Sequence, residues 1–154
     1  MCFGGPRTIM KAIDLQIIEN AEASDITRLE ANIDDFNADV TGIKDARLLS
    51  ILLKRADGEL YAGLHGHTWG GTCQIKLLWV AERERGRGLG AALLERAEDE
   101  ARRRGCGQIM LATHDFQAPG FYAKHGFEEV ARLIDNPIGH ADILMVKRLL
   151  PTRA

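Results

Sequence analysis

Two short stretches of the 154-residue chain hold residues whose types and spacing could do chemistry. Residues 80–91 read Val-Ala-Glu-Arg-Glu-Arg-Gly-Arg-Gly-Leu-Gly-Ala. They leave an apolar run and open a long helical pattern. Glycine costs a helix about 0.5–1 kcal/mol relative to alanine, so Gly86, Gly88 and Gly90 need a reason. Close approach of backbone to a bulky anion supplies one. The free N–H groups and positive dipole end of a helix start favour phosphate oxygens. Arg83, Arg85 and Arg87 can add charge-assisted bonds. Residues 121–127 read Phe-Tyr-Ala-Lys-His-Gly-Phe. Phe121 and Phe127 are core in character. Tyr122 is different, because a phenol near a helix end beside a cleft can donate a proton.

Other chemistries fit less well. Residues 86–91 also satisfy the dinucleotide pattern GxGxxG/A, and Asp115 follows 24 residues after Ala91, near the place of a ribose-binding acid. That pattern belongs on the first strand, however, and here antiparallel hairpins precede it. Only 39 residues follow Asp115, too few for a second βαβ half. No GxxxxGK[ST] occurs, so a P-loop is excluded. His65 and His67 share a strand face but lack a third ligand at metal spacing. Cys73 and Cys106 have no histidine paired with them in sequence and read as small buried hydrophobes. Trp69 and Trp79 read as core or cleft wall.

The elements that must position these residues follow from periodicity. Residues 12–18 alternate (Ile13, Leu15 and Ile17 against Asp14 and Gln16) and predict a strand. Ser24 predicts the N-cap of a helix with Ile26, Leu29 and Ile33 on one stripe. Residues 47–55 predict a strand that turns at Asp57-Gly58 into a returning strand over 59–69. Gly70-Gly71 turns again into 72–81, with Cys73, Ile75, Leu77 and Trp79 expected on one face. Residues 88–104 predict the clearest helix, with Leu89, Leu93, Ala97 and Ala101 on its stripe. Its i,i+4 pairs are Glu98–Arg102, Asp99–Arg103 and Glu100–Arg104, and Gly105 stands where a C′ glycine belongs. Residues 107–113 predict a buried strand, parallel to the one ending at Ala81 because a helix intervenes. A short helix follows, with Pro119 in its first turn, closing at Gly126. Residues 127–134 and 141–149 make a last hairpin through 136–139. The fold class is α/β (α+β): a mixed, mostly antiparallel sheet of about six to seven strands with one parallel crossover. Residues 1–11, with Gly4, Gly5 and Pro6, are expected to form a loose extension, and 12–150 a single domain.

Composition sets outer bounds. Hydrophobic residues at 45% and charged residues at 27% exclude a disordered or fibrous chain. The longest apolar run, residues 77–81, is far short of the roughly 20 that span a bilayer. No secretory leader pattern is seen. Three cysteines without CxxC spacing read as free thiols of a cytoplasmic protein, with no zinc site. The net charge of −2 argues against a nucleic-acid partner. Residues 14–47 hold nine acids against three bases, a net −6, whereas Arg83, Glu84, Arg85 and Arg87 sum to +2. An acidic half and a small basic spot point to one cationic and one anionic ligand.

Together the two motifs resemble the GNAT superfamily of acyl-CoA-dependent N-acetyltransferases. That family's cofactor motif reads Gln/Arg-x-x-Gly-x-Gly/Ala, and Arg85, Gly88 and Gly90 fill it. Its C-terminal motif reads Tyr-x-Lys-x-Gly-Phe, and Tyr122, Lys124, Gly126 and Phe127 fill it. The 32 residues from Gly90 to Tyr122 suit the helix, strand and helix between them. Element order is similar over nearly the whole chain. Phe116-Gln117-Ala118-Pro119 and Pro137-Ile138-Gly139-His140 also look like a group of small bacterial members. Two positions depart: Asp115 stands where many members have Asn, and Glu82 where many have Pro.

The resemblance implies acetyl-CoA as cosubstrate, no metal, and a small-molecule amine as acceptor. Backbone amides over 85–90, including those of Gly86, Arg87 and Leu89, would hold the pyrophosphate. The strand edge at Leu78, Trp79 and Val80 would pair with pantetheine and offer an oxyanion donor. Asp115, Ala118, Tyr122 and Lys124 complete the implied cofactor-binding set. The amine would attack directly, and Tyr122 would protonate the departing thiolate. Candidates for the base are Glu82, Asp115, His114 and His140, with a water chain as alternative. Asp34, Asp35 and Asp39 near Phe36 are the expected cation-attracting wall. A homodimer is left open, as is a non-catalytic acyl-CoA sensor.

Overall fold

The computed structural model describes residues 15–149. They fall into two units, one ending at Gly42 and one beginning at Ile43. The expected extension over 1–11 and the first residues of the expected strand over 12–18 lie outside the described residues. Its described part, residues 15–18, is not a strand. In the first unit, helix α1 (Ala23–Thr41) has Glu22 at its N-cap position, with no side-chain cap bond, and Ser24 lies inside the helix. It ends at Gly42, whose φ of 71° lets its N–H reach Ala38 O at 2.8 Å.

The second unit carries β1 (Arg47–Lys54), β2 (Leu60–Trp69), β3 (Thr72–Val80), α2 (Leu89–Arg103), β4 (Gln108–His114), α3 (Pro119–Lys124), β5 (Glu128–Ile134) and β6 (Ala141–Arg148). A 3-10 turn over Glu82–Glu84 links β3 to the glycine-rich loop. The six strands form one sheet in the order β1-β2-β3-β4-β6-β5. Only β3 and β4 run parallel, as a strand–helix–strand connection requires. The mixed, mostly antiparallel sheet expected from sequence is the one observed. No helix of the described residues is long and apolar enough to cross a membrane.

One face of the sheet is buried. Leu49, Ala62, Leu64, Cys73, Ile75, Ile109, Leu111, Ile143 and Met145 pack there with Leu93, Leu94, Ala97 and Ala101 of α2 and Tyr122 of α3. The C-terminal end of α2 is held by charge. Arg103 and Arg104 bind the Glu100 carboxylate at 2.6 and 2.7 Å, and those bonds hold its pKa down to about 2. Arg104 also reaches the carbonyls of Arg47 and Leu48 and the Thr68 hydroxyl, tying the helix to β1 and β2. The pairs Glu98–Arg102 and Glu100–Arg104 form as expected. Arg103 turns instead to Glu100, three residues back, where Arg104 already shares the charge.

The expected common face of β3 does not hold. Cys73 and Ile75 are buried, but Leu77 is 64% exposed and Trp79 48%. The cause is a β-bulge. Ile75 pairs with Gly66 and Leu77 with His65, leaving Lys76 as an extra residue and reversing the alternation beyond it. Gly66 permits this because a Cβ there would run into the Gln74 carbonyl and the Ile75 Cα. Gly66→Ala is therefore expected to lower the unfolding free energy by about 3 kcal/mol, the upper range for overpacking. A denaturant midpoint equal to the wild type's would show that the bulge does not need a bare backbone.

Candidate active site

The bulge opens the site. Pairing of β3 with β4 runs from Thr72↔Gln108 to Ile75↔Leu111 and stops. Beyond it the two strands diverge around a cavity of about 790 Å³. Its walls come from both strands, from the glycine-rich loop, from the loop after β4 and from α3. Of the residues nominated from sequence, Leu78, Trp79, Val80, Arg85, Gly86, Gly88, Leu89, Gly90, Ala118 and Tyr122 line it.

The loop end of the cavity suits an anion. Gly86 and Gly88 have φ of 72° and 82°, which L side chains adopt only with strain. The first helical bond of α2 is Ala92 N–H to Gly88 O at 3.0 Å, so the N–H groups before it point out of the helix end. Arg85 donates Nε to Val80 O at 3.0 Å, which holds the guanidinium against the cavity wall. Arg87 lies outside that wall. It binds Glu84 at 2.7 Å, and Arg55 binds the same carboxylate at 2.8 Å. The Arg55 hydrogen bond is the main reason why Glu84 is held below the usual carboxylate range. Glu84 thus stands neutralised in the cavity wall, and the charge there is set by Arg85 and the helix end.

On the α3 side, Tyr122 is 8% exposed and packs edge-on against Phe121 and Phe127, at 5.2 and 5.8 Å between ring centres. Burial pushes its phenol above its ordinary value of 10. It therefore keeps its proton at neutral pH, the state a proton donor needs.

A sequence profile described as "Acetyltransferase (GNAT) family" matches residues 15–127. The chain belongs to the GNAT acetyltransferase family. It is similar to a blasticidin-S acetyltransferase of Streptomyces morookaense, at 42% identity over 71% of this chain and 83% of the relative. Among solved structures it resembles an acetyltransferase from Bacillus cereus ATCC 14579, with 31% identity and a TM-score of 0.71 over 87% of this chain and 98% of that one. An aminoglycoside 6'-N-acetyltransferase complexed with coenzyme A shares the fold: its TM-score is 0.60 at 21% identity, over 85% of this chain and 91% of that one. The resemblance read from two motifs is thus borne out, as is the fold class.

Not every nominated residue of this GNAT chain reaches the cavity. Lys124 is exposed at the end of α3. Asp115 is occupied elsewhere: its carboxylate accepts the Ala141 N–H at 3.1 Å and lies 3.1 Å from His140 Nδ1. It therefore orders the start of β6 rather than the cavity wall. Asp34, Asp35, Phe36 and Asp39 lie exposed on α1 in the first unit. Cys73 and Cys106 are buried, and burial pushes both thiols up, Cys73 to about 11. Neither is a ready nucleophile. His65 bonds Ser50 at 2.7 Å, and no group of metal ligands occurs among the described residues.

Sequence reasoning missed one constellation. His114 ends β4, and Asp142 is its direct partner on β6. His114 Nδ1 lies 3.8 Å from the Asp142 carboxylate. Phe116, which lines the cavity, stacks on His114 at 5.1 Å and meets His140 edge-on at 4.7 Å. The β4–β6 register was the signal, and it becomes visible only once the last hairpin is docked.

Proposed function

We propose that this GNAT protein moves an acetyl group from acetyl-CoA to the primary amine of a small, cationic acceptor by direct attack. One observation carries the reading: a single cavity joins a glycine-lined helix start at one end to the Tyr122 phenol in its wall. The residues fit the cosubstrate. Gly86 and Gly88 leave their backbone bare for a pyrophosphate, with Arg85 alongside, and the edge of β3 beyond Ile75 has no strand beside it. When bound, acetyl-CoA supplies the activated acetyl thioester. The protein's share is to bind the phosphates, align the chain along Leu78 and Val80, and hold a proton on Tyr122 Oη for the departing sulfur. The raised thiol pKa values of Cys73 and Cys106 argue against an acyl-enzyme formed on either of these thiols.

A cationic acceptor suits the carboxylates of Asp115 and Asp142, which lie outside the cavity lining but beside His140 and His114, the two rings that Phe116 touches. An exposed aromatic ring flanked by carboxylates attracts ammonium groups by charge and by cation–π contact. The relative named for blasticidin S makes that compound a natural member of the first amine panel. Thiol release from acetyl-CoA is expected with cationic amines ahead of neutral or acidic ones, with KM for the best acceptor rising with salt. A panel in which neutral amines lead would overturn the acceptor class, and no amine-dependent thiol release would overturn the reading.

Tyr122→Phe should retain acetyl-CoA affinity and lose about 10²-fold in turnover, within the usual range for a general acid. Unchanged turnover would mean that the thiolate takes its proton elsewhere. At Gly88 a Cβ would meet no protein atom within 4 Å, so Gly88→Val meets no clash in the fold. It should cost about 1–2 kcal/mol for the left-handed φ and weaken CoA binding at least tenfold, measured by calorimetry. A folded variant with wild-type affinity would remove the pyrophosphate assignment.

A further inference from the structure

The proposed reaction needs a group that takes the proton from the acceptor's nitrogen, and four residues compete for it in the sequence. We propose that His114 is that proton acceptor and that Asp142 positions it; this rests on the N-acetyltransferase reading above.

The first argument is topological. Leu111 of β4 is buried in the core that contains Tyr122, and Thr113, on the same face of the strand, is buried too. Side chains alternate along a strand, so Ala112 and His114 face the other side of the sheet. Ala112 is exposed and lines the cavity, and His114 is the next residue on its face. Donor and acceptor of protons thus flank the opening between β3 and β4 from opposite faces. The amine adds to one face of the planar thioester carbonyl, so its proton acceptor belongs on the side from which the amine enters, whereas the proton for the departing sulfur can come from the other side.

The second argument is the ring itself. His114 Nδ1 is buried with no hydrogen-bond partner, and the nearest charge is the Asp142 carboxylate at 3.8 Å. The side chain as a whole is 30% exposed, so its accessible part is the rest of the ring, which carries Nε2. A carboxylate near Nδ1 favours the tautomer with its proton there, leaving the Nε2 lone pair as the base. Phe116 stacks at 17° to the imidazole and fixes its plane beside the cavity that Phe116 lines.

The competitors are placed less well. His140 sits in the turn before β6, 48% exposed, with Nδ1 3.1 Å from Asp115, and meets the cavity wall only through the edge of Phe116. Asp115 is held by Ala141 N–H, and Glu82, which like His114 is not itself a lining residue, is exposed in the 3-10 turn. The charged groups facing this cluster are Asp142 of β6, Asp115 and His140 of the loops, and Arg132 of β5, which interacts with Asp115.

The step balances. The amine lone pair forms the N–C bond, and the amine proton passes to His114 Nε2. The C–S electron pair leaves with sulfur, which takes the Tyr122 phenol proton. Imidazolium and phenolate then return to their resting states through solvent, and the products are the amide and free CoA thiol.

The test uses the full chain with its best cationic acceptor. His114→Ala should lower kcat about 10²-fold with acetyl-CoA affinity unchanged. It should lose the acid-side break of the wild-type kcat/KM profile, and added imidazole should restore part of the rate. Asp142→Asn should lower kcat about tenfold and, because the same carboxylate helps to attract the cationic acceptor, raise its KM as well. Wild-type kcat and pH profile in a folded His114→Ala would overturn the assignment, as would a loss confined to KM. If the wild type binds acetyl-CoA but transfers nothing to any amine, the parent reading falls instead, and that result appears before any variant is made.

Discussion

The site depends on one extra residue in β3. Lys76 has no partner of its own across β2, and the strand twists away from β4 at that point. A regular parallel pair would continue its ladder to the strand ends and leave no space between them. Here four residue pairs hold the strands together, and beyond them residues 76–80 of β3 with Ala112 and Thr113 of β4 become cavity wall. The bulge also turns Leu78 and Val80, rather than Leu77 and Trp79, toward the helix side. Strand edges with unpaired backbone are normally a hazard. In this fold the edge is recessed between two strands, where an extended ligand can pair with it and a second sheet cannot.

A gap in the middle of a sheet weakens it, and the helix side compensates. Helix α2 bridges β1, β2 and β3, and its last turn is pinned by Arg104 to two carbonyls of β1. Glu100 anchors Arg103 and Arg104 together, which is why its carboxylate stays ionised down to about 2. A pKa below the ordinary 4.5 means that this contribution is full above 4.5 and fades as pH falls toward 2. Glu98, paired with both Arg102 and Lys147, ties the same helix to β6 across the gap. The glycine-rich start of α2 can therefore be left with open N–H groups while the rest of the helix is held.

Much of this was legible in the sequence because it is local. Alternation, the turns at Asp57-Gly58 and Gly70-Gly71, and the α2 stripe each rest on neighbours within a few residues. The two motifs announced the family for the same reason. What escaped needed pairing across the sheet. The bulge is invisible in the apolar run over 72–81, since alternation alone predicts Leu77 beside Ile75, and only the glycine opposite could have warned of it. Asp115 looked like a ligand residue until the β6 start was docked on it. The Arg103–Glu100 bond shows a smaller version of the same limit: i,i+4 spacing named Asp99, and shared charge at Glu100 decided otherwise.

The acceptor proposed for this site sets a chemical constraint. The glycine end of the cavity offers helix N–H groups and Arg85, while the carboxylates of Asp115 and Asp142 stand outside its lining, beside the rings of His140 and His114. Carboxylates that draw in an ammonium group also stabilise its charged form, and a protonated amine has no lone pair with which to attack. Recruitment and reactivity therefore pull against each other. A neutral imidazole beside the carboxylate reconciles them, because it can take the proton while the positive charge stays near Asp142. On the proposed reading, the charge that draws the amine in is still in place after the proton has moved. A carboxylate acting alone as base would lose its charge on accepting the proton, and with it the attraction that brought the amine to the site.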